Sequence, residues 1–182
     1  MTHLTIDQLH AGLDVIRNSP GDRGELRMIV RRPKIGAREV LTVGELDPVD
    51  GLVGDTWRAR SSSRTADGSA HPDMQLNIMN ARVVALLAQQ EDRWPLAGDQ
   101  LFIDLDLSDA NLPPWTKLAI GSAIIEVTDQ PHTGCGKFIE RFGADAAKFV
   151  NSTTGRELHL RGINARVVQA GTIRVGDRVQ KI

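Results

Sequence analysis

The residue with the clearest chemical potential is Cys135, the only cysteine among 182 residues. It lies in segment 131–137, which we expect to connect a strand to a helix. A thiol near a helix N-terminus is more readily ionised, because unpaired N–H groups and the helix dipole favour the thiolate. Lys137 and His132 are candidates to add positive charge nearby. This pattern therefore predicts a reactive thiolate.

Glycines flank the cysteine at Gly134 and Gly136. Because neither carries a side chain, a bulky ligand can approach the sulfur closely. A thiolate prepared in this way has three uses: ligand of a soft metal, nucleophile, or carrier of a persulfide. The alternative is a small, buried, apolar side chain, since free cysteine is among the most buried residue types. The segment alone leaves these alternatives open.

Two arginines near a late strand, Arg161 and Arg166, are candidates to bind an anion. The planar guanidinium suits phosphate and carboxylate groups, although surface arginines with a structural role are common. The other basic residues are assigned to the surface: Arg58, Arg60 and Arg64 to a solvated loop, and segment 23–38 to the exposed side of a hairpin. The sequence contains no phosphate-binding glycine loop and no zinc-binding spacing.

Composition excludes several classes of protein. The 22 basic and 23 acidic residues nearly cancel, which argues against a nucleic-acid or membrane-surface protein, since these have a strong basic excess. One cysteine cannot form an internal disulfide. No signal peptide and no apolar run of about 20 residues is present. We therefore expect a cytoplasmic location, with no nucleic-acid or membrane partner.

Periodicity predicts many short strands and few helices. Apolar residues spaced by three and four predict an N-terminal helix over about 5–18, with Thr5 and Gln8 forming a capping box. Asn80 is expected to cap a helix over 81–90, and a third helical segment, 137–150, is expected to break at Gly143. The strands are expected at 25–30, 38–46, 75–79, 101–107, 117–120, 123–128, 165–169 and 172–182. This order favours a mainly β fold, a closed or nearly closed barrel in one domain over 1–182.

In order along the chain, several motifs resemble those of the MOSC family, the molybdenum cofactor sulfurase C-terminal domain. They are GLVGD (51–55), LAGDQL (96–101), LAIGSA (118–123), EVT (126–128), CGK (135–137), RGINARV (161–167) and GTIRVGDRV (171–179). The resemblance extends from about residue 44 to the C-terminus. It implies a β-barrel of the pyruvate-kinase-like type with a few peripheral helices and the cysteine at the mouth of a pocket.

The resemblance also implies a function. Members are proposed to carry sulfur from a pyridoxal-phosphate-dependent cysteine desulfurase towards metal–sulfur centres. Related members bind the molybdenum cofactor, molybdopterin, through this cysteine and reduce N-hydroxylated compounds. Cys135 would then be a persulfide carrier or molybdenum ligand, and Arg161 and Arg166 would help hold a pterin phosphate. A cysteine desulfurase or a molybdoenzyme is the expected partner, and pyridoxal phosphate is expected only on that partner enzyme. The alternative is a non-catalytic module that docks cofactor or partner through the barrel mouth.

The chain departs from the family pattern at three places. Trp57 and Arg58 stand where many relatives have histidine, and Gly98-Asp99-Gln100 replaces the usual Gly-Glu-Asn. Thr133-Gly134 precedes the cysteine where proline is more usual. The extra N-terminal domain of the N-hydroxy reductases has no counterpart in this sequence, so we expect a small stand-alone branch of the family.

Overall fold

The computed structural model describes residues 2–134 and 136–182. Within them the helices are α1 (Ile6–Ala11), α2 (Leu13–Arg17), α3 (Ala81–Ala88), α4 (Gly136–Phe142), α5 (Ala144–Asn151) and α6 (Thr153–Glu157). The strands are β1 (Gly24–Arg31), β2 (Glu39–Leu41), β3 (Val43–Asp47), β4 (Gly51–Leu52), β5 (Leu76–Asn80), β6 (Leu101–Asp104), β7 (Lys117–Ile120), β8 (Ala123–Val127), β9 (Ile163–Gln169), β10 (Gly171–Arg174) and β11 (Arg178–Lys181). Short 3-10 helices lie at Trp57–Ala59, Pro72–Met74 and Glu91–Ala97.

Seven strands close into a mixed β-barrel. Around the barrel the order is β1, β11, β7, β8, β9, β5 and β6, and β6 returns to β1. Only β5 and β6 run parallel among these pairs of described strands. The prediction of a mainly β, barrel-type fold with a few peripheral helices is confirmed.

Two predicted strands each prove to be two shorter ones. Segment 38–46 divides into β2, which pairs with β1, and β3, which pairs with β4 and β10 in a separate three-stranded sheet. Segment 172–182 divides in the same way into β10 and β11. At this second division the turn around Gly176, with φ of +92°, redirects the chain from the small sheet to the barrel. A positive φ is the conformation that glycine adopts without a steric penalty.

Apolar side chains form two cores, one on each face of the barrel wall. Leu26 and Ile29 of β1 point into the barrel interior, where they join buried residues from the other strands. Met28 and Val30 belong to the outer core, which the helices cover with side chains such as Phe142. Alternation of side chains places Ile29 in one core and Met28 and Val30 in the other. Leu26 joins the core of Ile29 because the register of β1 against β6 shifts between Leu26 and Met28.

The predicted caps and the break at Gly143 are confirmed, but the single N-terminal helix expected over about 5–18 proves to be α1 and α2, which meet at Gly12. Thr5 and Gln8 form the capping box of α1. The side chain of Asn80 accepts hydrogen bonds from the backbone N–H groups of Arg82 and Val83 at the start of α3. Gly143, with φ of +91°, separates α4 from α5. None of the helices in the described residues is long and apolar enough to cross a membrane.

Candidate functional site

A cavity of about 750 Å³ opens on one side of the barrel. Six cationic side chains line it, and we call it the basic cavity: Arg32, Arg38, Arg60, Lys137, Arg141 and Arg161. Further lining residues include Asn77, Gly98, His132 and Phe138. These residues come from the end of β1, the connection to β2, the 3-10 helix after β4, the turn before β6, the cysteine segment and α4.

Two of the six cations are neutralised by buried carboxylates. Arg32 donates to Asp55 through Nε and Nη2 at 2.8 Å each. Arg161 donates through Nη1 to both oxygens of Asp99, at 3.0 and 2.8 Å. Both carboxylate side chains are 0% exposed. These pairs form a fixed polar floor and contribute no net charge to the cavity.

The other four cations have no carboxylate partner among the described residues. Arg38 donates to the backbone carbonyls of Pro95 and Ala37, and Arg141 donates to that of Leu96. Arg60 donates to the hydroxyl of Thr56, and Lys137 is exposed. These contacts fix the directions of the side chains but leave about four positive charges for a ligand.

The pKa values of two arginines of the basic cavity are lowered by burial and by neighbouring cations. Burial and the nearby cations Arg141 and Arg32 lower the pKa of Arg38. Burial and Arg32 also lower the pKa of Arg60. Because like charges disfavour the protonated form, an anion placed among these groups would relieve the repulsion. The cavity is therefore suited to an anionic ligand.

One wall of the basic cavity is a buried network around Asp99. The carboxylate accepts hydrogen bonds from Arg161 and lies 2.8 Å from Nε2 of His132. Burial alone would raise the pKa of Asp99, but Arg161 and His132 together hold it below its ordinary value. Burial and Arg161 lower the pKa of His132, so this histidine is neutral near pH 7. It adds no positive charge, contrary to the role suggested by the sequence.

Phe138 and the backbone hold Arg161 in place. Its guanidinium carbon lies 5.0 Å from the ring centroid of Phe138, and its Nη2 donates to the carbonyl of Ala97. Its Nε is buried and has no hydrogen-bond partner among the described residues. A buried donor without a partner is costly, so a further acceptor at this position would stabilise the arrangement.

The segment before the cysteine is tied to the barrel by side-chain amides. Asn164 donates to the carbonyl of Gln130 at 3.0 Å, and the N–H of Gly134 donates to Asn151 at 3.2 Å. Cys135 itself lies outside the described residues. In the sequence it stands between His132 and Lys137, which both line the basic cavity. The roles predicted for its thiol remain predictions.

A second, smaller cavity lies behind the same segment. Its volume is about 290 Å³, and its lining includes Thr128, Gln130, Asn151 and Arg156. His132 and Arg161 line both cavities. These two side chains therefore form the partition between the small cavity and the basic cavity.

The structure brings together three of the predicted ligand-binding residues, His132, Lys137 and Arg161. Gly136 begins α4, and a Cβ at this position would meet no atom within 4 Å. A Cβ at Gly134 would lie 3.1 Å from Nδ2 of Asn151, so this glycine permits close packing of the segment on α5.

Arg166, also predicted to bind the cofactor, is placed elsewhere. Its guanidinium donates to Glu126 at 2.7 Å and to Asp73 at 3.0 Å, and it lies 5.7 Å from the ring centroid of Trp115. It lines neither the basic cavity nor the small cavity. Its side chain spans the barrel surface from β8 to the 3-10 helix at Pro72–Met74.

Sequence reasoning missed Arg32, Arg38, Arg60 and Arg141, which were assigned to solvated surfaces or left unassigned. The sequence around each of these arginines gave little indication of a shared cavity. They are spread over more than 100 positions, and only the fold brings them together. Asp99 was noticed only as a departure from the usual family motif. A stronger clue was the position of Asp99 between Gly98 and the start of β6. A carboxylate that is fully buried there requires a cationic partner.

His71 caps the 3-10 helix at Pro72–Met74 by accepting a hydrogen bond from the N–H of Asp73. Across residues 2–134 and 136–182, no group of three or more His, Asp or Glu side chains is arranged to hold a metal ion.

Comparison with known proteins identifies the class. The family profile for the MOSC domain matches residues 69–180, which is more than half of the chain, and the chain belongs to this family. Among curated proteins no significant match was found.

The solved structures that resemble this chain include the YuaD protein of Bacillus subtilis, with a TM-score of 0.63 and 14% identity over 87% of this chain and 94% of that one. YiiM of Escherichia coli gives 0.54 and 19% identity over 87% and 69% of the two chains. YiiM of Geobacillus stearothermophilus gives 0.53 and 13% identity over 90% and 74%. At these identities the similarity shows a shared fold.

Proposed function

We propose that this MOSC protein binds an anionic cofactor or substrate in the basic cavity and acts on it with the thiolate of Cys135. The observation that carries the proposal is the set of four cations without a carboxylate partner among the described residues. Arg38, Arg60, Lys137 and Arg141 line one cavity in a chain whose formal net charge is −1. Such concentrated charge attracts anions and is unfavourable without one.

The residues present fit the phosphate of a molybdenum cofactor. Arg38 and Arg141 offer planar guanidinium groups to phosphate oxygens, Lys137 offers a mobile ammonium, and Arg161 has an unused N–H. These are the donor types that bind phosphate. When bound, the cofactor would supply a redox-active metal, and Cys135 would supply a thiolate ligand to it.

The same cavity suits a sulfur carrier. In that role the Cys135 thiolate attacks the outer sulfur of a donor persulfide, R–S–SH. The S–S bond of the donor breaks, R–S⁻ leaves, and Cys135 retains the transferred sulfur as its own persulfide, so no oxidant is consumed. The donor persulfide would form on a pyridoxal-phosphate-dependent desulfurase, which remains a proposed partner.

Charge reversal tests the cavity. The chain would be produced in a host that makes molybdenum cofactor, and metal content and native mass would be measured on the purified protein. We expect Arg38→Glu and Arg141→Glu to lower bound cofactor at least about tenfold, because each replaces an attraction by a repulsion. Arg17→Glu is the matched control, since Arg17 is exposed on α2 and does not line the basic cavity. Equal cofactor content in all three variants would refute the basic cavity as the binding site.

Replacement of the cysteine tests the chemistry separately. Cys135→Ser should abolish both metal retention and the mass increase of one sulfur atom after treatment with a persulfide donor. Circular dichroism would verify the fold of the variant. If Cys135→Ser retains metal and ligand while Arg38→Glu loses them, the protein is a non-catalytic binding module and the thiol chemistry proposed here is wrong.

A further inference from the structure

The partition between the two cavities contains a histidine in an unusual charge environment. Nε2 of His132 lies 2.8 Å from Asp99, whose negative charge is already matched by Arg161. The imidazole side chain is 13% exposed. Since Asp99 is ionised, Nε2 of His132 carries the hydrogen and donates it, and Nδ1 of the neutral ring is unprotonated. No described residue forms a hydrogen bond with Nδ1.

Charged groups line both of the cavities that His132 separates. On the basic cavity side the cations are Arg32, Arg38, Arg60, Lys137, Arg141 and Arg161. Asp55 and Asp99 neutralise two of these, so the surplus is about four positive charges. On the small cavity side the ionisable groups are Asp109, Asp129, Arg156 and His159. Two carboxylates oppose one arginine there, so the small cavity does not add to the positive surplus.

Burial and two neighbouring cations lower the pKa of His132 and so keep it neutral. Burial penalises a charged imidazole, and Arg161 and Arg32 repel one. An anion bound in the basic cavity would oppose this repulsion, because a nearby negative charge favours the protonated imidazole. The low local dielectric makes this change larger than it would be in water.

We propose that the basic cavity takes up a dianionic ligand together with a proton, which His132 accepts at Nδ1. The inference depends on the proposed function, because it requires an anion site in this cavity. In this inference His132 helps to determine which ligand charge the cavity prefers. Once protonated, His132 stabilises a second negative charge on the ligand, which the four cations alone would bind less tightly. The proton comes from solvent, and no bond in the ligand changes.

The direction of the pH effect follows from linkage. If anion binding raises the affinity of His132 for a proton, protonation must raise the affinity for the anion by the same factor. Affinity should therefore increase as pH falls from neutrality through the ordinary histidine range near 6.5. It should become constant once His132 is protonated without ligand. Arginine and lysine side chains ordinarily titrate well above this range, so histidine is the residue type expected to produce the effect.

Sulfate is a suitable probe because it remains a dianion across this range. Isothermal titration calorimetry near pH 6.5, in buffers of different ionisation enthalpy at matched ionic strength, measures proton uptake directly. We expect about half a proton or more per sulfate in the wild-type protein. Nuclear magnetic resonance of the His132 ring, with sulfate and with chloride, should show a higher pKa with sulfate. This second measurement needs no variant and is independent of whether a variant folds.

His132→Gln should bind sulfate with little change of affinity between about pH 7.5 and 5.5 and without proton uptake, since glutamine does not titrate. His159→Gln is the matched control and should keep the uptake, because His159 lines only the small cavity. Sulfate binding without proton uptake in the wild type would refute this inference but leave the proposed function intact. Failure of sulfate to bind at all would refute the anion site itself, and this inference with it.

Discussion

At the scale of single residues, Asp99 joins the floor of the basic cavity to its wall. Its two oxygens accept hydrogen bonds from Arg161, and one of them also lies within hydrogen-bond distance of His132. A carboxylate with no solvent contact is stable only while these partners remain. The geometry of the cavity therefore depends on a carboxylate that is fully buried.

Removing the partner of Asp99 should destabilise the protein strongly. We expect Arg161→Met to lower the free energy of unfolding by about 3–5 kcal/mol, because it leaves a buried carboxylate without its cation. The measurement is urea denaturation near pH 7. Arg166→Met is the control, since the Arg166 side chain is 40% exposed and its ion pairs should contribute about 1 kcal/mol. Equal losses in the two variants would contradict the special role of Asp99.

His132 should make stability depend on pH in a defined interval. Its pKa in the folded state is below the ordinary value of 6.5, so the unfolded chain binds more protons there. Stability should fall as pH decreases from 6.5 towards the folded-state pKa, and the His132 contribution should then level off. The contribution of Asp99, whose folded pKa is also lowered, is lost only below about pH 4. Urea midpoints between about pH 7.5 and 5 should vary less in His132→Gln than in the wild type.

At the scale of elements, local signals were predictable and long-range ones were not. The cap at Asn80 and the break at Gly143 were read correctly because each depends on a side chain and a few neighbouring backbone groups. The division of segment 172–182 was missed because β10 and β11 join different sheets, and alternation of side chains does not reveal a change of partner. The cations of the basic cavity were missed for the same reason, since their proximity is tertiary.

The capping residues Asn80 and Thr5 differ in burial, so the effects of replacing each by alanine can be compared. Asn80 caps α3 and also donates to Ser19 and to the carbonyl of Leu105, at 2.9 and 2.7 Å. Asn80→Ala should lower the free energy of unfolding by more than about 2 kcal/mol, since it loses a cap and leaves buried acceptors without a donor. Thr5→Ala, at an exposed cap, should cost about 0.5–1 kcal/mol. Urea denaturation of the two variants measures both, and a smaller loss for Asn80→Ala would contradict the argument.

At the scale of the whole molecule, a nearly neutral chain separates its charges. The formal net charge is −1, but pairing with carboxylates is uneven. Four cations that have no carboxylate partner in the described part of the chain line one cavity. Composition argued only against a nucleic-acid or membrane-surface protein, and it could not indicate this cavity because a sum over residues contains no positions. The barrel produces the concentration by bringing the end of β1, the turn before β6 and the start of α4 to the same side.

Closure of the barrel depends on a short junction at Gly24. There the first two residues of β1 pair with β11, and the second of them, Glu25, pairs with Asp104 of β6 as well. A Cβ on Gly24 would lie 2.2 Å from the backbone oxygen of Asp104, so an added methyl group must displace one strand. We expect Gly24→Ala to cost about 1–3 kcal/mol. Gly21→Ala is the control, because its Cβ would meet only Asn111, at an ordinary 3.6 Å. Its change should lie within about 0.5 kcal/mol. Urea midpoints that are the same for both variants would show that the junction at Gly24 does not limit the stability of the closed barrel.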